Sequence, residues 1–162
     1  MSELSFGWAT PTLDIYLADV STDLPLPFAN DGIPAGFPSP AGDYLDLTID
    51  LNQELVDNPD ATFYARAKGS SMQDAGIHNG DVLVVDRSLT ADNGDIVVAF
   101  LNGEFTVKRL QFSGETCLLL PANQDFPQIR INEGDDFRVW GVVTFVIKNV
   151  REGGRGKWVS LR

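Results

Sequence analysis

Two serines stand side by side in KGSSMQDAG, residues 68–76, between a glycine and a methionine. A serine hydroxyl attacks a carbonyl only after a base has taken its proton. The chain has a single histidine, His78, which reads as a loop residue in GIHNGD and has no second histidine with which to build a triad or a metal site. A lysine held neutral is the other choice of base. Bringing a lysine from about 10.4 to about 7 destabilises its charged form by roughly 4.6 kcal/mol, so its amine must lie among apolar groups. Lys108 in GEFTVKRL is the candidate, because it falls mid-strand in an apolar hairpin arm. Alternation puts Glu104, Thr106, Lys108 and Leu110 on one face and Phe105, Val107 and Arg109 on the other, with Arg109 toward solvent. Thr106 is then the neighbour whose hydroxyl could orient a neutral amine. On periodicity alone, however, an edge-strand lysine reaching water is the stronger reading, and paired serines are ordinary turn residues.

The elements that must position these groups are mostly strands. ATFYARAKG alternates, DVLVVDRS follows the turn pair Asn79-Gly80, and DIVVAFLNGEFTVKRL is two β-rich runs joined by Asn102-Gly103. Asn-Gly between alternating runs signals a type I′ hairpin, whose two central residues need positive φ. ETCLLLPAN and FRVWGVVTFVIKNV supply two more strands. LDLTIDLNQELV opens with alternation and ends in one or two helical turns capped at Asp50. The sum is a mostly-β domain from about residue 45 to 151.

Around it the composition changes. Residues 1–35 contain five acidic residues, no Lys or Arg, and four of the nine prolines. Proline removes a donor and fixes φ, so this segment reads as an extended arm, unsuited to a long helix or a central strand. IPAGFPSPAGDY, 33–44, continues as a linker or exposed loop. REGGRGKWVSLR reads as a basic, glycine-rich solvated tail. Trp8 and Trp158 could anchor arm and tail on the domain or on a partner.

With 162 residues the chain has room for one domain plus an appendage. The net charge of −11 argues against direct nucleic-acid binding, which draws its affinity from Lys and Arg, so any link to DNA passes through a partner. Cys117 is the sole cysteine, which leaves no intrachain disulfide or CxxC motif and suggests a small buried apolar residue. No apolar run approaches the ~18 residues of a membrane span, and the first twenty residues lack the pattern of a secretory signal. A cytoplasmic location is expected.

GSSM, then GIHNGDVLVVDRSLTADNGDIVVAFLNGEFTVKRLQ, resembles the serine-lysine self-cleaving proteins that include LexA and the UmuD-type SOS mutagenesis proteins. AGFPSPAGDYLDLTIDLNQELVDNPDATFYARAKGSSM brings the likeness closer to the UmuD type, and the resemblance covers about residues 24–151. It implies a mostly-β fold, a single LexA/UmuD-like peptidase domain with an extended N-terminal arm. It also implies an arm, 1–35, removed by self-cleavage, a peptidase and dimerisation domain, 36–151, and a tail, 152–162. Carried over by position, Ser71 is the nucleophile, Lys108 the general base, and Ala35-Gly36 the bond that is cut. The main-chain N–H groups of Ser70 and Ser71 are the implied oxyanion donors. Ser70 departs from the pattern, since UmuD-type sequences often have aspartate there.

The same resemblance implies a homodimer, a UmuC-like Y-family polymerase partner for the processed form, and activation by a RecA nucleoprotein filament, with no cofactor and no metal. LPLPF, 24–28, resembles the apolar patch by which UmuD-type arms touch the polymerase sliding clamp, though docking on its own domain explains it as well. A LexA-like repressor would need an N-terminal helix-turn-helix domain, which thirty-five acidic, proline-interrupted residues cannot form. A signal peptidase would need a membrane anchor. The alternative from another class is a dimeric interaction subunit of a polymerase that cleaves weakly or not at all.

Overall fold

The computed structural model describes residues 14–28, 35–36 and 47–151; Trp8, Trp158, most of the linker and the tail lie outside them. The described chain runs β1 (Asp14–Leu17), β2 (Pro25–Phe28), β3 (Leu47–Asp50), α1 (Leu51–Leu55), β4 (Thr62–Arg66), β5 (Val82–Asp86), β6 (Ile96–Leu101), β7 (Glu104–Ser113), β8 (Thr116–Leu120), β9 (Ile129–Arg130) and β10 (Phe137–Ile147). Eight strands form one antiparallel sheet in the order β1-β4-β5-β10-β6-β7-β8-β9, and β2 pairs with β3 in a separate ribbon.

The β6–β7 hairpin follows from its turn. Asn102 and Gly103 have φ of 49° and 94°, the two positive values that a type I′ turn requires. That turn fixes a register in which Val97 faces Lys108 and Ala99 faces Thr106. The middle of the sheet is covered on both faces, which explains why all five residues of β5 are buried and why its run VLVV lacks alternation. Ala65, Leu83, Val85 and Val98 belong to one core cluster and Val97, Ala99, Leu110, Leu119 and Val142 to a second. Each fully buried Leu or Val contributes roughly 1.5–3 kcal/mol of apolar transfer free energy.

β10 joins the two halves by pairing with β5 on one side and β6 on the other, with its register shifting between Val139 and Gly141 and again between Val143 and Phe145. Gly141 has no room for a side chain: a Cβ there would lie 2.6 Å from Val85 Cγ1 and 3.2 Å from Asp86 O.

The helical turn at 51–55 is capped as expected, with the Asp50 carboxylate accepting from the Asn52 N–H at 2.9 Å. The described part of the proline-rich arm, 14–28, contains two short strands, which sit where prolines are tolerated. β2, with Pro25 and Pro27, occupies a two-stranded ribbon, and β1 adds to the outer edge of β4. Cys117 differs from the expected full burial: it is half-buried on β8, packed against the rim of the second cluster. No helix among the described residues is long and apolar enough to cross a membrane.

Candidate active site

Lys108 leaves the middle of β7 directly opposite the fully buried Val97 and is itself only 7% exposed. An ammonium there loses most of its hydration, and burial lowers the Lys108 pKa from its ordinary 10.5. No carboxylate pairs with it among the described residues to restore the charged form. Its Nζ has three polar neighbours instead: Ser71 Oγ at 2.9 Å, Thr106 Oγ1 at 2.9 Å and the Val107 carbonyl at 3.0 Å. Thr106 thus lies on the same face of β7 as the amine. Arg109, on the other face, is half-buried and donates to the Gly94 carbonyl at 2.7 Å.

Ser71 reaches Lys108 because the chain after β4 turns back under tight backbone control. Ala67 N–H donates to Asp81 O at 2.9 Å, Gly80 N–H to Ala67 O at 2.8 Å, and Gly69 N–H to Asn79 Oδ1 at 3.0 Å. Met72 and Ile77, both 3% exposed, are anchored in the first core cluster and clamp the single 3-10 turn Gln73–Ala75 between them. The Asn79-Gly80 turn read from the sequence is therefore one end of the device that holds the serines.

A second strap comes from the chain after β8. Ala122 N–H donates to Ser71 O and Asp74 N–H to Ala122 O, both at 2.8 Å. Asn123 Nδ2 donates to Ser70 O at 2.9 Å. The sequence reading missed this strap. Its one local signal was the polar run Asn-Gln-Asp, which follows the apolar strand after Pro121 and Ala122, and nothing in that run says which loop it meets.

Ser70, Ser71, Met72, Phe105, Thr106 and Lys108 line a cavity of about 220 Å³. A more open hollow of about 430 Å³ lies beside it, walled by Asp74, Ala122 and Asn123, with Phe126 shared between the two. The amides of Ser70 and Ser71 donate to no acceptor among the described residues. Ala35 and Gly36 are exposed and line neither cavity, so the structure brings Ser71, Lys108 and Thr106 together and leaves the Ala35-Gly36 bond outside.

The other candidates for chemistry stand apart. Burial pushes the Cys117 thiol up, away from the thiolate a nucleophile needs. His78 is an exposed loop residue whose Nδ1 lies 3.0 Å from Lys148 Nζ; Lys148 also pairs with the Asp81 carboxylate. No group of three or more His, Cys, Asp or Glu among the described residues could hold a metal ion.

The model of the Peptidase S24-like family matches residues 27–144. The chain belongs to the S24-like peptidase family. Among its relatives, it is 51% identical to Protein MucA of Salmonella typhimurium over 120 residues, which is 74% of this chain and 82% of MucA. It is 46% identical to Protein ImpA of Shigella flexneri over 126 residues, 78% of this chain and 86% of ImpA. It is 39% identical to a LexA repressor of Acidovorax sp. over 118 residues, 72% of this chain and 52% of that repressor. These relatives agree with the UmuD-type resemblance read from the sequence. Within the S24-like chain, β1 lies outside the matched span, whereas the serine turn, the hairpin and the strap at 122–123 all lie inside it.

Proposed function

We propose that this S24-like peptidase cuts its own Ala35-Gly36 bond, with Ser71 as nucleophile and Lys108 as general base. The observation that carries the reading is the buried amine 2.9 Å from the Ser71 hydroxyl, with no carboxylate among the described residues to keep it charged. A neutral amine has two N–H donors and one lone pair. The Val107 carbonyl can only accept and the Thr106 hydroxyl is free to accept, so together they take both donors. The lone pair is then left for the Ser71 O–H.

Lys108 takes the Ser71 proton as Oγ attacks the Ala35 carbonyl carbon. The negative oxygen that forms is met by main-chain N–H groups of Ser70 and Ser71. Collapse breaks the Ala35–Gly36 C–N bond, the Lys108 ammonium returns its proton to the Gly36 nitrogen, and Ala35 remains as an ester on Ser71. Lys108 then deprotonates a water that hydrolyses the ester, which frees the arm and restores the hydroxyl. Small residues suit this entry, since an extended Ala-Gly meets few side-chain collisions.

The exposure of Ala35-Gly36 supports a regulated reaction. The segment must move into the cavity, from the same chain or from the second protomer of a homodimer, and effective concentration then replaces ordinary affinity. In keeping with the UmuD type, a RecA filament would favour that movement, and the processed dimer would join a UmuC-like Y-family polymerase, with the arm's 24–28 segment available to a sliding clamp. Incubation at alkaline pH tests the chemistry without partners. A fragment with Gly36 at its N-terminus is expected, and Ser71→Ala or Lys108→Ala should slow its appearance by about 10³-fold or more. An intact chain would leave the dimeric interaction subunit, and unchanged cutting in both variants would overturn the Ser71–Lys108 assignment.

A further inference from the structure

Asn123 is a polar side chain at 9% exposure, and both ends of its amide are engaged. Nδ2 donates across 53 residues of sequence to Ser70 O at 2.9 Å, and Oδ1 accepts from the Asp125 N–H at 3.0 Å. Ser70 O also accepts from the Gln73 N–H at 3.2 Å, so the carbonyl end of the Ser70–Ser71 peptide is tied twice. The other end is free, for the Ser71 N–H meets no acceptor among the described residues.

No cis peptide bond occurs in the described chain, and a planar trans peptide points its C=O and N–H in opposite directions. Asn123 walls the larger hollow and does not line the dyad's cavity, whereas Ser70 and Ser71 do line it. Pulling Ser70 O toward Asn123 therefore turns the Ser71 N–H away from the hollow, to the side of the Lys108–Ser71 pair. Left untied, the peptide could rotate and offer its carbonyl to the cavity, where a negative oxygen would be repelled. Ala122, next to Asn123, fixes the following carbonyl, Ser71 O, so two successive peptides are held by one strap.

We propose that Asn123 is a positioning residue that fixes the plane of the Ser70–Ser71 peptide, so that the Ser71 N–H is already aimed when charge develops on the attacked carbonyl. The inference rests on Ser71 being the nucleophile. It assigns Asn123 to stabilisation of the developing negative charge, not to the tuning of Lys108, whose hydrogen-bond partners are Ser71, Thr106 and Val107.

The test is the self-cleavage rate of the full chain as a function of pH. Asn123→Ala removes both bonds. Asn123→Asp keeps the side-chain size and the acceptor for the Asp125 N–H, but sets a carboxylate oxygen against Ser70 O. Both should lower the alkaline plateau by about ten- to a hundred-fold, the range just below loss of a direct oxyanion donor, with the midpoint of the pH profile where the wild type has it. If Asn123→Ala melts below the assay temperature, Asn123→Asp decides. Cutting within two-fold of wild type in the Asp variant overturns the proposal, as does a shifted midpoint with the plateau kept. Either result leaves the dyad reading in place. A wild-type chain that does not cut, or a Ser71→Ala chain that does, removes the dyad reading and the proposal with it.

Discussion

The serine turn and the N-terminal arm are held by opposite means. Ser71 and Lys108 are 37 residues apart in sequence and each is fixed from several sides: by the hairpin register, by buried Met72 and Ile77, and by the strap from Ala122 and Asn123. The arm is attached along edges. β1 pairs with one side of β4, β2 pairs with β3 alone among the described residues, and the exposed side chains of Leu24, Leu26 and Phe28 contribute little burial. On the proposed reading, the Ser71–Lys108 half is built before any substrate arrives, while Ala35-Gly36 lies outside the cavity and has to be brought to it. A self-cleaving chain needs this division, since a rigid arm with Ala35-Gly36 in the cavity would be cut as soon as it folded.

Each region can be weakened without touching the other. Gly141→Ala strikes the catalytic frame where β10 crosses β5, and Val85 must move to admit the new methyl. A loss of about 1–3 kcal/mol is expected, measured as a lower urea midpoint, with slower cutting because the β5–β10–β6 frame carries the hairpin. Asp50→Ala strikes the arm, since this one carboxylate caps α1 and also accepts the Leu24 N–H at 2.8 Å. It should cost about 1 kcal/mol, read as faster amide exchange at Leu24 and Asn52 while exchange in β5 and β6 stays as in wild type.

The smallest effect sharpens the contrast between stability and function. Because burial lowers the Lys108 pKa, there is a window below 10.5 in which the unfolded chain holds a proton that the folded chain lacks. Stability rises with pH through that window, and below it the folded state bears an amine that prefers water. Lys108→Met keeps an apolar stem and removes the ionisation. It should raise the melting temperature at pH 7 by about 2 °C, with the advantage shrinking as the pH climbs toward 10.5, while cutting is lost.

The legible parts of the sequence were the ones decided locally. Asn102-Gly103 specified the hairpin, Asp50 specified the helical turn, and the apolar VLVV after Asn79-Gly80 marked a strand. β1 and β9 gave no such signal, because four and two residues become strands only by finding the free edges of β4 and β8. In the site, alternation placed Thr106 beside Lys108 but could not say whether the amine was buried. That depends on the serine turn folding over it, a contact between distant segments. Asn123 was illegible for the same reason: its partner, Ser70 O, is a backbone atom 53 residues away.

The direct test of the central claim is the rate of appearance of the Gly36-initiated fragment from pH 6 to pH 11, in wild type and in Lys108→Ala. A buried amine that takes the Ser71 proton predicts a wild-type rate that rises with a single midpoint below 10.5 and then levels, and a variant rate far below it with no such midpoint. A wild-type rate that keeps climbing in proportion to hydroxide past pH 10.5, or a Lys108→Ala profile that overlays it, would contradict the account.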